Sequence, residues 1–304
     1  MKGDQTMPEA AIVMDRFSKR FGEKIAVDDL SLSIPAGSIF GLVGQNGAGK
    51  TTTIRALLNL IQPSGGRLQV LGLDSVAQAR AIHRRIGYIP ESPDYYGWMT
   101  VDEMVRFNAA FYDHWDGDLA ARLIKRLELP KQQRLVTLSR GMKAKVGLVM
   151  ALGSRPDLLI LDDPTSGLDT IVRREFLEET IANVQAEGGT VFFSSHLLHE
   201  MERIADTVAI LHQGKLRLSG SLEALKTGFK KLRVVYPQEV PPSFPLQGLV
   251  RAQRNGRHAI LTVSEFAPSM IEQLRQGGAS SVEVVDLPLE EIFVETIKGD
   301  VRHA

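Results

Sequence analysis

The chain has 304 residues, with 36 Lys+Arg against 36 Asp+Glu and a formal net charge of +0. That length suits one large domain plus a small one, and the balanced charge gives no support for nucleic acid or an anionic membrane surface as partner. With 0 Cys, disulfides, thiolate catalysis and Cys-ligated metals are excluded, and a reducing compartment fits.

No apolar stretch reaches the roughly 18 residues of a spanning helix, and Met1-Lys2-Gly3-Asp4-Gln5 does not lead into a signal-peptide core. A cytoplasmic chain, free or peripheral on a membrane, is expected. In chain order, Ala11 to Met14, Phe17, Phe21 and Ala26 to Ile34 alternate as strands, closed by Pro35-Ala36-Gly37. The apolar run Ser38 to Val43 leads through a Gly-rich turn into the helix-like Thr52 to Leu58. Arg67 to Gly72 returns as a strand, Ala77 to Arg85 reads as a short helix, and Ile86 to Pro90 as a buried strand. From Pro93 to Met150 the periodicity is helical. Leu158 to Leu161 is a continuous apolar run ending in Asp162-Asp163, as expected for a central parallel strand whose carboxyl end meets a ligand.

Arg173 to Gln185 reads as a helix and Thr190 to Ser195 as a second buried strand ending at His196. After Leu218-Ser219-Gly220, prolines punctuate short strands near Leu232–Val235, Ala259–Val263 and Ser281–Val285, with helices at Ser264–Gly277 and Leu287–Lys298. With Gly44 to Thr51 following the phosphate-loop pattern G-x-x-x-x-G-K-[ST], the fold class expected is α/β: a P-loop NTPase with a mainly parallel sheet, an N-terminal antiparallel β subdomain, a helical insertion at about 93–150 and a small α+β C-terminal domain. The boundary falls near Leu222, giving domains 1–222 and 223–304.

The Gly-rich turn is Gly44-Gln45-Asn46-Gly47-Ala48-Gly49-Lys50-Thr51, the pattern G-x-x-x-x-G-K-[ST] between a strand and a helix. Its glycines let consecutive N–H groups face an anion, and the helix dipole adds positive potential. Nucleotide phosphates fit there, with Lys50 reaching the β- and γ-phosphates, Thr51 completing magnesium coordination and Thr52 adding a phosphate contact. Asp162 would then hold Mg2+ and Asp163 would orient or deprotonate the attacking water. His196 ends a parallel strand and could meet the γ-phosphate. Phe21, just before a turn, is either a core aromatic or a platform on which adenine stacks.

From about Ile12 to Gly220 the chain resembles the ATPase subunit of an ATP-binding cassette (ABC) transporter, of bacterial exporter type. Gly44 to Thr51 matches the phosphate loop, Leu138-Ser139-Arg140-Gly141-Met142 is similar to the family signature, and Leu158 to Asp163 matches the acidic strand. Ser166-Gly167-Leu168-Asp169 matches the dimer-contact loop and His196 the switch histidine. The resemblance implies ATP and Mg2+ as cofactors, Phe21 as the adenine-stacking aromatic, and Glu91 where relatives carry a glutamine facing the transmembrane partner. It implies that two subunits, in a homodimer or heterodimer, close head to tail around ATP. Ser139 and Gly141 of one would then complete the site of the other, and the pair would drive an integral-membrane permease.

Asp163 stands where the family usually has Glu, one methylene shorter, so slow hydrolysis with nearly normal ATP binding is expected. Glu91 lacks an amide donor but could bind metal or water. Arg140 and Met142 replace the commoner Gly and Gln. A soluble ABC ATPase acting on translation or DNA is the competing reading. Such proteins typically carry two cassettes or a long coiled-coil insertion, and this chain shows one phosphate loop and a short insertion. Export is favoured over import, and Pro288 to Phe293 resembles the ending of exporter-type subunits.

Overall fold

The computed structural model describes residues 9–166 and 168–298; the Met1–Gln5 start and Gly167 of the expected dimer-contact loop lie outside them. The chain divides into two compact units, one ending at His196 and including Gln213–Lys215, the other comprising Leu197–His212 and the residues from Leu216 onward.

In the first unit, β1 (Ala10–Phe21) and β2 (Lys24–Pro35) form an antiparallel hairpin. Their inward residues Ile12, Met14, Phe17, Leu30 and Ile34 are buried, which is the alternation the sequence carried. Next come β3 (Ile39–Val43) and α1 (Lys50–Leu57). They are followed by β4 (Gly65–Val70), antiparallel to β1, then β5 (Leu73–Asp74) and α2 (Ala79–His83). The antiparallel sheet has the order β2-β1-β4-β5.

β6 (Ile86–Ile89) returns to the central layer, and the helical insertion follows as α3 (Val101–Ala109), α4 (Gly117–Arg126) and α5 (Arg140–Gly153). α3 starts with a capping box: Thr100 Oγ1 accepts from the Glu103 N–H and the Glu103 carboxylate accepts from the Thr100 N–H. β7 (Leu158–Asp162), α6 (Thr170–Gln185) and β8 (Thr190–Ser195) complete the unit. β3 pairs parallel with β8, β8 with β7 and β7 with β6. Every residue of β3, β7 and β8 is buried, so these strands read as continuous apolar runs. Each Leu or Ile so enclosed contributes about 1.5–3 kcal/mol.

The second unit contains α7 (Leu198–Ile204), β9 (Thr207–His212), most of β10 (Lys215–Ser221) and α8 (Leu222–Gly228). An antiparallel sheet follows, built from β11 (Lys230–Val235), β12 (Leu249–Asn255), β13 (His258–Val263) and, after α9 (Ser269–Gln276), β14 (Ser281–Asp286). Its order is β12-β13-β11-β14. Leu232, Val234, Leu261, Val263, Met270 and Leu274 form its core. α10 (Leu289–Lys298) ends the described chain. The expected helix at Ser264–Gly277 begins only at Ser269, because the N–H groups of Ser264 and Phe266 donate to Gly248 and Gly228 carbonyls instead of to a helix.

Candidate functional site

The phosphate loop joins β3 to α1, and its backbone departs from ordinary geometry at Gly47 (φ 81) and Gly49 (φ 112). Only glycine takes such angles without strain, which is why the sequence has it at both positions. Ala48 anchors the loop: its N–H donates to the Gln45 carbonyl at 3.0 Å, and its carbonyl accepts from the Gly214 N–H at 3.0 Å. Gly49 occupies the N-cap of α1 with no side-chain cap, and the first helical turn holds no acidic residue. The first N–H groups of α1 are thus left for an anion.

Lys50 is buried and folds back over the loop, donating to the Gly44 carbonyl at 2.7 Å and the Gln45 carbonyl at 3.3 Å. Burial lowers its pKa, and the charges of Asp163, Asp162 and Glu91 work against that shift. Thr51 Oγ1 donates to Asp162 Oδ1 at 3.0 Å, and Ser194 Oγ donates to the same oxygen at 2.9 Å. Asp162 is raised above the usual carboxylate range because burial outweighs both hydroxyl bonds, with Glu91 and Asp163 adding repulsion. Tyr88, on the neighbouring strand β6, is pushed up to about 12 by burial and by the Asp162 charge.

Asp163 follows β7 with its backbone in the left-handed region (φ 46), which Asp tolerates better than most residues. Its N–H donates to the Ser194 carbonyl and hydroxyl oxygens, both at 3.1 Å. Its Oδ2 pairs with His196 Nδ1 at 2.6 Å, while its Oδ1 is buried with no hydrogen-bond partner among the described residues. An enclosed, unpaired carboxylate oxygen, together with a helix start that no side chain caps, fits a phosphate with its metal and water, so the residues present suit ATP and Mg2+.

Lys50, Thr51, Asp162, Asp163, His196 and Glu91 are therefore gathered at the carboxyl ends of parallel strands. Gln45, Asn46 and Thr52 lie in the loop and the first turn of α1. Phe21 ends β1 with its ring half exposed, which removes the core-aromatic alternative. Ser139 and Gly141 lie at the start of α5, where Ser139 is the N-cap and its Oγ accepts from the Met142 N–H at 3.2 Å. A Cβ at Gly141 would stand 3.3 Å from Val172 Cγ1, so the signature-like peptide packs on the start of α6. There Asp169 is the N-cap of α6, accepting from the Ile171 and Val172 N–H groups.

Sequence reasoning missed Ser194, which joins both carboxylate residues. Its signal was a hydroxyl closing an apolar strand, two residues before His196. It also missed the surface cluster of the helical insertion. There Tyr96 lies 6.1 Å from Trp98 and 5.6 Å from Phe107, and Phe107 lies 5.1 Å from Phe111. Trp98 is 67% and Phe111 65% exposed.

A family model described as ABC transporter matches residues 27–166, and one described as an AAA domain matches residues 131–202. The Nod factor export ATP-binding protein I of Paraburkholderia xenovorans is 36% identical over 228 residues, covering 72% of this chain and 73% of that protein. The ABC transporter ATP-binding protein YtrB of Bacillus subtilis is 26% identical over 291 residues, covering 96% and 99% of the two chains. The solved ATP binding subunit of an ABC transporter matches with a TM-score of 0.65 and 29% identity, covering 73% of this chain and 92% of that one. Among the described residues no helix is long and apolar enough to cross a membrane. Likeness carried at this level across most of both sequences, over a fold of the same kind, makes the chain a member of the ATP-binding subunits of ABC transporters.

Proposed function

We propose that this chain binds Mg-ATP, pairs head to tail with a second ATP-binding subunit and powers an integral-membrane permease, working as an exporter from the inner face of the cell membrane. The observation that carries the reading is the convergence of Thr51, Asp162, Asp163 and His196 beside the uncapped start of α1. In this reading residues 1–222 form the ATP-binding domain and 223–304 an accessory domain.

Gly44 to Thr52 cradle the phosphates with backbone N–H groups, and Lys50 neutralises their charge once ATP draws it from its carbonyl contacts. Thr51, Asp162 and Glu91 would hold magnesium, which when bound would neutralise phosphate charge. Asp163, through the oxygen left unpaired, orients a water toward the γ-phosphorus. As that water's oxygen bonds to phosphorus and gives its proton to the Asp163 carboxylate, the bond to the bridging oxygen breaks, and ADP and phosphate leave. His196 holds the other Asp163 oxygen and faces the γ-phosphate. Phe21 takes the adenine. Ser139 and Gly141 reach the nucleotide of the opposing subunit, so closure depends on ATP and reopening on its hydrolysis.

The exposed aromatic cluster of the helical insertion supports a permease as the mechanical partner, since a contiguous apolar patch of this kind marks an interaction surface. The test is purification of the tagged subunit from its native membrane in mild detergent, followed by mass spectrometry. Recovery of a multi-span permease, lost in a Trp98→Ala/Phe111→Ala variant that still binds ATP, is the expected result. Recovery of ribosomal or DNA-associated proteins alone would overturn the transport reading and leave the ATP site standing.

A further inference from the structure

Lys19 belongs to none of the motifs above. It precedes Phe21 by two positions on β1, so strand alternation sets both side chains on one face. Its Nζ lies 4.9 Å from the centroid of the Phe21 ring and donates to the Gln62 carbonyl at 2.7 Å. The ammonium is thereby held between the ring and the turn after α1. The backbone on either side is tied to the same turn: the Arg20 N–H donates to Ser64 Oγ at 3.0 Å, and the Ser64 N–H donates to the Ser18 carbonyl at 2.9 Å. Phe21 is nevertheless 50% exposed, so the ring offers surface to a ligand while a cation occupies one side.

We propose that Lys19 is a positioning residue for base recognition, holding and polarising the Phe21 ring so that a purine stacks on the face away from the ammonium. The proposal rests on the reading of Phe21 as the base platform. An aromatic face is electron-rich, and a cation over one side draws that density toward itself, leaving the opposite face better suited to an electron-rich purine. Pinning an exposed ring also removes motion that base binding would otherwise have to freeze. The ammonium is committed to a carbonyl and a ring, so its effect is on the base and not on the phosphates.

The experiment compares Mg-ATP with magnesium tripolyphosphate, which has the phosphates but no base, by calorimetry on the full chain. Lys19→Met keeps the aliphatic stem and removes the charge. It should weaken ATP about two- to five-fold, the range of an exposed cation–π contact, and leave tripolyphosphate unchanged. Lys19→Arg should restore ATP affinity. Phe21→Ala should weaken ATP about ten-fold, as loss of a base-stacking aromatic does, and Lys19→Met should then add nothing. Equal weakening of both ligands would make Lys19 a general phosphate attractor and overturn the proposal. Tighter ATP binding by Lys19→Met would do the same, because the ammonium would then occupy the stacking face. If Phe21→Ala leaves ATP affinity untouched, the platform reading itself fails; if only Lys19→Met is silent, that reading survives and this inference does not.

Discussion

His196 Nδ1 meets Asp163 Oδ2 at 2.6 Å, and the remaining oxygen of that carboxylate is enclosed and unpaired among the described residues. A side chain one methylene longer would carry the free oxygen further toward the nucleotide. Misplacement by about 1 Å costs on the order of 100-fold in rate, so Asp163→Glu should raise ATP turnover by up to that factor with a similar ATP affinity. Glu is less at ease than Asp in the left-handed backbone at this position, so the variant should lose about 1 kcal/mol of stability. Steady-state turnover, ATP titration and thermal unfolding measure the three effects separately. No gain in turnover would show that the length of this side chain does not limit hydrolysis.

Asp162 gives a prediction with a defined pH dependence. Its folded pKa is raised, so between the unfolded value of 3.8 and that higher value the native state holds the proton more tightly. Its favourable term is thus fully present below 3.8 and is lost as pH rises through the folded pKa. At neutral pH the buried charge is a cost. Asp162→Asn, whose amide oxygen can still accept from Thr51 and Ser194, should raise Tm at pH 7, and the gain should shrink toward zero as pH falls below about 4. Addition of Mg-ATP should stabilise the parent chain more than the variant. A Tm gain independent of pH would mean that desolvation of this carboxylate is not its source.

How much of this was legible depended on whether a signal was local. β3, β7 and β8 are buried on both faces and appear as unbroken apolar runs, and the phosphate loop is contiguous. β12 was missed because its LVRAQRN sequence is nowhere fully buried and is rich in polar residues, as an edge strand can be. α6 begins at Thr170, earlier than its periodicity suggested, because Asp169 caps it. The Asp163–His196 bond joins residues 33 positions apart, and Ser194 reaches Asp162 between neighbouring strands. Such pairings depend on strand order, which no short window of sequence states.

Ser139 combines a structural and a proposed nucleotide role, and two substitutions separate them. Ser139→Ala removes the cap of α5 and should cost about 1 kcal/mol, while also weakening ATP-driven dimerisation. Ser139→Asp keeps a good cap, so Tm should hold, but it sets a negative charge where the opposing subunit's γ-phosphate would approach. Dimerisation on ATP, followed by light scattering, should then be lost. An Asp variant that dimerises normally would leave Ser139 as a cap alone.

Within the second unit, Glu202 on α7 joins two elements: Oε1 accepts from Lys226 Nζ at 2.7 Å and Oε2 from the Leu289 N–H at 3.3 Å. Leu289 opens α10 and is fully buried, so its N–H has no water to turn to, and the carboxylate also faces the positive end of the helix dipole. The Lys226 pair is partly exposed and contributes little by itself. Glu202→Ala should therefore cost about 1 kcal/mol locally, raising amide exchange across α10 about five-fold while the β3, β7 and β8 amides keep their protection. Glu202→Gln retains an acceptor for Leu289 and should fall between the two. Exchange that rises equally throughout the chain, or not at all in α10, would show that this carboxylate does not hold the C-terminal helix in place.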